Sequence, residues 1–245
     1  MISLHGCGAL RYDADPFVVR VTTNANRPYV VRDKEALLCQ SPEDISRPGF
    51  RCFLAPSFLL PVEAEVPARV LELPAELTHL EDGDVIRCDP RTGEIFVTYR
   101  LRSTANTLLL TETCNNKCIM CCQPPKSGND DYLASVALDT LRLMDRSTTE
   151  IGVSGGEPTL KWDVLLKVLR TAKGYLPDTA IQLLSNGRVF KYLSRAQELA
   201  AIRHPRLIVG VPLNSATPEV HDYIVQRRGV FDETILGIMN LKRKR

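Results

Sequence analysis

The sequence predicts an α/β protein in which a small β-rich region precedes a run of parallel strand-helix units. Three observations carry this reading. Beyond residue 100, short apolar runs of strand length alternate with stretches of helical periodicity. Before it, nine of the 16 prolines cut the apolar pattern into pieces too short for long helices. The charge balance changes at the same place: residues 1–100 hold 11 basic and 15 acidic side chains, whereas 101–245 hold 20 and 14. Two domains are therefore expected, 1–100 and 101–245.

In the first domain, 17–22, 29–32, 51–54, 68–73, 84–88 and 94–99 are rich in β-branched or aromatic residues and bounded by Pro, Gly, Asp or Asn, as strands are. The last two should form a hairpin, because Asp89-Pro90-Arg91-Thr92-Gly93 supplies turn chemistry. In the second domain the expected strands are 106–111, 150–154, 180–185 and 206–212. Helical faces follow them: Val136, Thr140, Leu141 and Met144; then Leu160, Val164, Leu165, Val168, Leu169 and Ala172, with Gly174 as the expected stop; then Val189, Leu193, Ala196 and Ala200; then Phe231, Ile235, Leu236 and Met239. Strand-helix alternation of this kind implies crossover connections and a parallel sheet.

Composition narrows the function. With 245 residues, 44% apolar, 24% charged and 6% aromatic, the chain is long enough to bury a sizeable core. No run of apolar residues is long enough to span a bilayer, and residues 1–20 lack a basic head followed by an apolar stretch, so a cytoplasmic protein without a membrane partner is expected. A net charge of +2, with Lys242, Arg243, Lys244 and Arg245 clustered at the end, does not indicate a nucleic-acid surface.

The cysteines carry the chemical signal. Cys7, Cys39, Cys52 and Cys88 are scattered and read as buried small hydrophobes in a reducing compartment. Cys114, Cys118 and Cys121 form a C-x3-C-x2-C string just after the first strand of the second domain. Thiolates are soft ligands, and three from one loop can hold three irons of a [4Fe-4S] cluster, leaving the fourth open. Zinc is the alternative, although its structural sites usually combine two separated ligand pairs, and no second pair is evident. Adjacent Cys122 should point away and serve packing or a turn.

After the second strand comes Gly155-Gly156-Glu157-Pro158, and after the third Ser185-Asn186-Gly187. Ligands gather at the carboxyl ends of strands in such sheets, so all three motifs can serve one site. In this order and placement they resemble the radical S-adenosylmethionine (SAM) superfamily. The resemblance implies an incomplete radical SAM (β/α) barrel. It also implies an open iron chelated by the amino and carboxylate groups of SAM, with the SAM amino group met by Gly155, Gly156, Glu157 and Pro158. Ser185 and Asn186 would lie near the ribose and carboxylate. An electron from the reduced cluster would cleave SAM and yield a 5'-deoxyadenosyl radical. His221-Asp222, beside an ordinary helix start at Thr217-Pro218-Glu219, is read as structural.

The longer string from Leu108 to Lys126, with Gly83-Asp84-Val85-Ile86 and Tyr99-Arg100 ahead of it, is similar to the C component of His-Xaa-Ser peptide maturation systems. That resemblance implies a ribosomally synthesised precursor peptide with His-Xaa-Ser repeats as substrate. It also implies a companion radical SAM protein, a small accessory protein and an electron donor. A radical SAM enzyme acting on RNA or another substrate class and a truncated, non-catalytic cluster-binding subunit are the alternatives. Met120 stands where many relatives carry an aromatic residue. Four strand-helix units are expected where the family barrel has six, so the chain is read as C-terminally truncated, with the adenine side of its pocket open.

Overall fold

The computed structural model describes residues 3–60 and 69–243; Ala68 of one expected strand and Lys244 and Arg245 of the basic tail lie outside them. The described residues divide into two compact units, one made of 1–106 with 139–145, the other of 107–138 with 146–245.

The first unit is built on a seven-stranded sheet of order β1-β7-β6-β2-β3-β4-β5. Its strands are β1 (His5–Cys7), β2 (Phe17–Thr22), β3 (Glu35–Leu38), β4 (Cys52–Ala55), β5 (Val70–Glu72), β6 (Val85–Asp89) and β7 (Glu94–Tyr99). β6 and β7 pair antiparallel across the expected turn, where Gly93 adopts φ 76. Strands β2 to β5 run parallel to one another. Two apolar clusters form the core, one around Val19, Leu54, Leu71 and Ile86, the other around Leu37, Phe50, Phe53 and Val70.

One expected strand is a helix. Tyr29–Arg32 forms the short helix α1, led in by Pro28, and Tyr29 and Val30 are 70% and 82% exposed. The place beside β2 belongs instead to Glu35-Ala36-Leu37-Leu38, whose residues favour helices in isolation. Burial of Ala36 and Leu37 overrides that preference, and the buried Glu35 carboxylate accepts from Arg27 Nε at 2.9 and 3.1 Å and from Nη2 at 2.6 Å. Of the scattered cysteines, Cys39, Cys52 and Cys88 are buried as expected, but Cys7 is exposed on the edge strand β1.

The second unit contains a four-stranded parallel sheet of order β11-β10-β9-β8. The strands are β8 (Thr107–Leu109), β9 (Glu150–Ser154), β10 (Ala180–Leu184) and β11 (Leu207–Gly210). The helices α2 (Tyr132–Leu143, of which 139–143 belong to the first unit), α3 (Trp162–Tyr175), α4 (Leu193–Ala200), α5 (Pro218–Val225) and α6 (Val230–Lys242) follow or separate them. This is the expected mixed α/β architecture with a parallel sheet. Helix α3 buries Leu165, Val168, Leu169 and Ala172 of the expected face, with Leu166 beside them, whereas Leu160 falls in the preceding 3-10 turn and is exposed and Val164 is half-buried. The helix runs on through Gly174 to Tyr175, because nothing crowds that glycine and the chain turns only at Leu176.

Asp222 of α5 accepts from the backbone N–H groups of Gly229 and of Phe231 (2.9 Å), satisfying donors at the start of α6. His221 is buried against Phe231, and its Nδ1 accepts from the Asn214 N–H at 3.2 Å, which fixes the loop after β11. No helix among the described residues is long and apolar enough to cross a membrane.

Candidate cluster and cofactor site

The three motifs leave the sheet at neighbouring carboxyl ends, those of β8, β9 and β10. The register of β8 on β9 continues past the strands: Leu110 N–H donates to Ser154 O at 3.0 Å, Gly156 N–H to Thr111 O at 2.8 Å and Glu157 N–H to Thr113 O at 2.8 Å. The Gly-Gly-Glu segment is thus laced to the stem of the cysteine loop. Glycine is required there. A Cβ on Gly156 would sit 2.1 Å from Thr113 O, and Gly155, at φ 150, would place one 2.3 Å from Thr111 O.

Glu157 joins the second motif to the third. It is 1% exposed. Its Oε1 accepts from Thr159 N–H at 3.0 Å, Thr159 Oγ1 at 2.6 Å and Ser185 Oγ at 2.9 Å, and its Oε2 accepts from Asn186 N–H at 2.7 Å. Four donors compensate the cost of burying the carboxylate. Asn186 then reaches the cysteine loop, with Nδ2 donating to Asn115 Oδ1 at 2.7 Å. Gly187, at φ 80, turns the chain under Val211, where a Cβ would come within 2.6 Å of Val211 Cγ1.

These residues border a cavity of about 540 Å³. Cys114, Cys118, Cys121, Gly156, Glu157, Ser185 and Asn186 are in its wall, together with Leu184 and Gly210 at the ends of β10 and β11 and Val211 and Pro212 just beyond. Two residues expected at the site stand behind it: Gly155 makes the turn, and Pro158 is buried at the start of a one-turn 3-10 helix. Cys122 is exposed and outside the wall. Burial raises the Cys114 and Cys118 thiols above their usual range, and neighbouring groups add to it, Glu157, Cys118 and Cys121 for Cys114, and Cys121 for Cys118. The sulfurs therefore sense one another electrostatically, and ligation would release their protons.

A stem residue without a motif signal supports the loop. The Asp130 carboxylate is buried, and Oδ2 accepts from Thr111 Oγ1 at 2.5 Å and from Glu112 N–H at 2.7 Å, while Lys161 lies 3.2 Å from Oδ1. Burial alone would push Asp130 up, but these donors and the Lys161 charge outweigh it and hold the carboxyl at about 2. Only the fold brings Asp130 back to Thr111, so no spacing rule could have singled it out.

The profile of the radical SAM superfamily matches residues 108–245. The chain belongs to this superfamily. No curated protein matches it. Two solved structures show local likeness. Native anSMEcpe with bound AdoMet and Cp18Cys peptide matches at 20% identity over 56% of this chain and 40% of that one, with a TM-score of 0.42. A hexahistidine-tagged form of anSMEcpe with bound AdoMet matches at 18% identity over 57% and 39%, with a TM-score of 0.44. The chain thus spans about two fifths of those proteins.

Radical SAM proteins use a [4Fe-4S] cluster and SAM, and these are the cofactors of the chain. The residues present fit both. Among the described residues no three His, Cys, Asp or Glu side chains converge as a single metal ion requires. A cubane asks for something else: three thiolates spaced around a volume, each reaching a different iron. Cys114, Cys118 and Cys121 all border one cavity, as thiolates serving a cubane must. The cavity lies in the range of cofactor sites, and the bare Gly156 backbone in its wall lets a ligand approach closely.

Proposed function

We propose that the chain is the radical SAM component of a peptide-modifying enzyme, in which Cys114, Cys118 and Cys121 hold the cluster and Gly156, Glu157, Ser185 and Asn186 border SAM. The observation that carries this reading is that all seven line one cavity at the carboxyl ends of adjacent parallel strands. When bound, the reduced cluster and SAM supply a 5'-deoxyadenosyl radical able to take hydrogen from carbon. The chain's own residues position the reactants. Glu157 ties the Ser185 hydroxyl and the Asn186 N–H to the second motif, and Asn186 holds Asn115, so hydrogen bonds join the three motifs. Leu184, Val211 and Pro212 present apolar wall to the cavity.

The substrate class we infer is a ribosomally synthesised peptide with His-Xaa-Ser repeats, acted on with a companion radical SAM protein, a small accessory protein and an electron donor. The strings 108–126 and 83–86 with Tyr99-Arg100 support this. Anaerobic reconstitution should give about four irons per chain. Replacing Cys114, Cys118 and Cys121 together by Ala should abolish uptake, while Cys7→Ala should not. With dithionite and SAM the loaded chain should release 5'-deoxyadenosine, and a His-Xaa-Ser peptide, unlike tRNA, should change mass. Stoichiometric zinc without iron would sink the cluster assignment, and modification of tRNA but not peptide would overturn the substrate class.

A further inference from the structure

Arg188 directly follows Ser185-Asn186-Gly187, outside every residue type that marks the cofactor site. Its side chain is 13% exposed. Nη1 donates to the Asn115 carbonyl oxygen and to Asn116 Oδ1, each at 2.9 Å, and so grips the backbone between Cys114 and Cys118. Nε donates to Glu233 Oε2 at 2.6 Å, and Lys191 Nζ donates to the other Glu233 oxygen at 2.5 Å. Glu233 lies in the first turn of α6, which approaches so closely that a Cβ on Gly237 would fall 2.3 Å from Gly187 O. The donors Arg188 and Lys191 hold the Glu233 carboxyl below its ordinary range against the opposing effect of burial.

Two physical consequences meet at Cys114. Asn116, whose side chain Arg188 holds, is 3% exposed, and its N–H donates to Cys114 Sγ at 3.4 Å. The guanidinium therefore fixes the residue that supplies a hydrogen bond to a ligand sulfur. The triad of two cations and one anion also carries one net positive charge, and its member on the loop, Arg188, is mostly buried, where solvent screens it little. Hydrogen bonds to cluster sulfurs and nearby charge are among the factors that set reduction potentials. Adding an electron is easier beside a fixed positive charge.

Resting on the cluster assignment to Cys114, Cys118 and Cys121, we propose that Arg188 is a positioning residue for the cysteine loop and that the Arg188-Glu233-Lys191 triad raises the reduction potential of the cluster. The test pairs two variants of opposite charge effect. Potentiometric titration of the reconstituted chain, followed by electron paramagnetic resonance, should give a more negative midpoint for Arg188→Met and a more positive one for Glu233→Gln. Arg188→Lys keeps the charge without the fork and should stay near the wild-type midpoint. A merely structural role lowers cluster occupancy in both Arg188→Met and Glu233→Gln without splitting their potentials in sign. Shifts in one direction, or none, would overturn the electrostatic role.

Hydrogen exchange on the iron-free chain tests the grip independently. Amides of 115–119 should exchange at least about tenfold faster in Arg188→Met, the loss expected for bonds from a charged donor, with β9 and β10 unchanged. Unchanged exchange in the loop would overturn the positioning role. A wild-type chain that takes up no iron defeats the cluster assignment and the potential with it, while the exchange result still decides whether Arg188 holds the loop.

Discussion

At the scale of single residues, buried polar groups do the organising. Glu157 is the clearest case, since the four donors it accepts come from Thr159, Ser185 and Asn186 and tie two motifs to one carboxylate. Glu157→Ala leaves the Thr159 and Asn186 backbone N–H groups without their acceptor, and each such group costs about 1–3 kcal/mol where it is buried. Urea denaturation should therefore show a loss of at least about 2 kcal/mol in addition to weaker SAM binding, with Glu157→Gln milder because it keeps an acceptor oxygen. Asp130 predicts a pH effect. Its carboxyl is held at about 2 in the folded chain, below its value in the unfolded chain, so the stabilisation is complete above about pH 4 and is lost as pH falls through 2. Asp130→Asn should flatten that part of the stability profile; an unaltered slope between pH 4 and 2 would show that Asp130 is not its source.

Elements are placed by close backbone approach as much as by apolar faces. The segment after β9 pairs with the stem of the cysteine loop only because Gly156 carries no Cβ, which would otherwise meet the Thr113 carbonyl carbon at 2.5 Å and oxygen at 2.1 Å. Gly156→Val should cost about 1–3 kcal/mol or more through overpacking and should reduce iron uptake, since the loop that carries Cys114 can no longer lie against β9. Normal uptake and stability in this variant would mean that the Thr113 contact is not needed. Element identity also shows where sequence reading fails. The strand-like Tyr29–Arg32 is a helix and the helix-like Glu35–Leu38 is a strand, because one place beside β2 goes to the segment that can bury its side chains on both faces. Local preference is worth a few tenths of a kcal/mol per residue, against about 1.5–3 kcal/mol for a buried leucine.

For the molecule as a whole, the second unit's sheet has β11 at one edge among the described residues, paired only with β10. Ile208 on that strand is 55% exposed, and a groove of about 620 Å³ runs beside it, lined in part by Leu207, Ile238 and Leu241. An edge with unpaired backbone groups and apolar side chains is a template for another strand. Sedimentation velocity should show concentration-dependent association of the chain, shifted toward monomer by Ile208→Lys. A wild-type monomer at all concentrations would show that the edge is sufficiently protected as it stands.

What the amino-acid order determined by itself was everything that depends on local chemistry and period. The soft-ligand spacing of Cys114, Cys118 and Cys121, the glycines at strand ends and the alternation of strands and helices are all short-range patterns; they were enough to anticipate the parallel sheet and a thiolate site, while SAM entered through the family resemblance that these motifs carry. Tertiary structure decided the rest. That Glu157 serves as the tie between motifs, that Asp130 returns to Thr111, and that Arg188 with Glu233 grips the loop between two cysteines depend on contacts across 19 to 73 residues of chain. Such contacts leave no period and no spacing in the sequence. They exist because burying a charged group requires partners within hydrogen-bond reach, and only the completed fold brings those partners there.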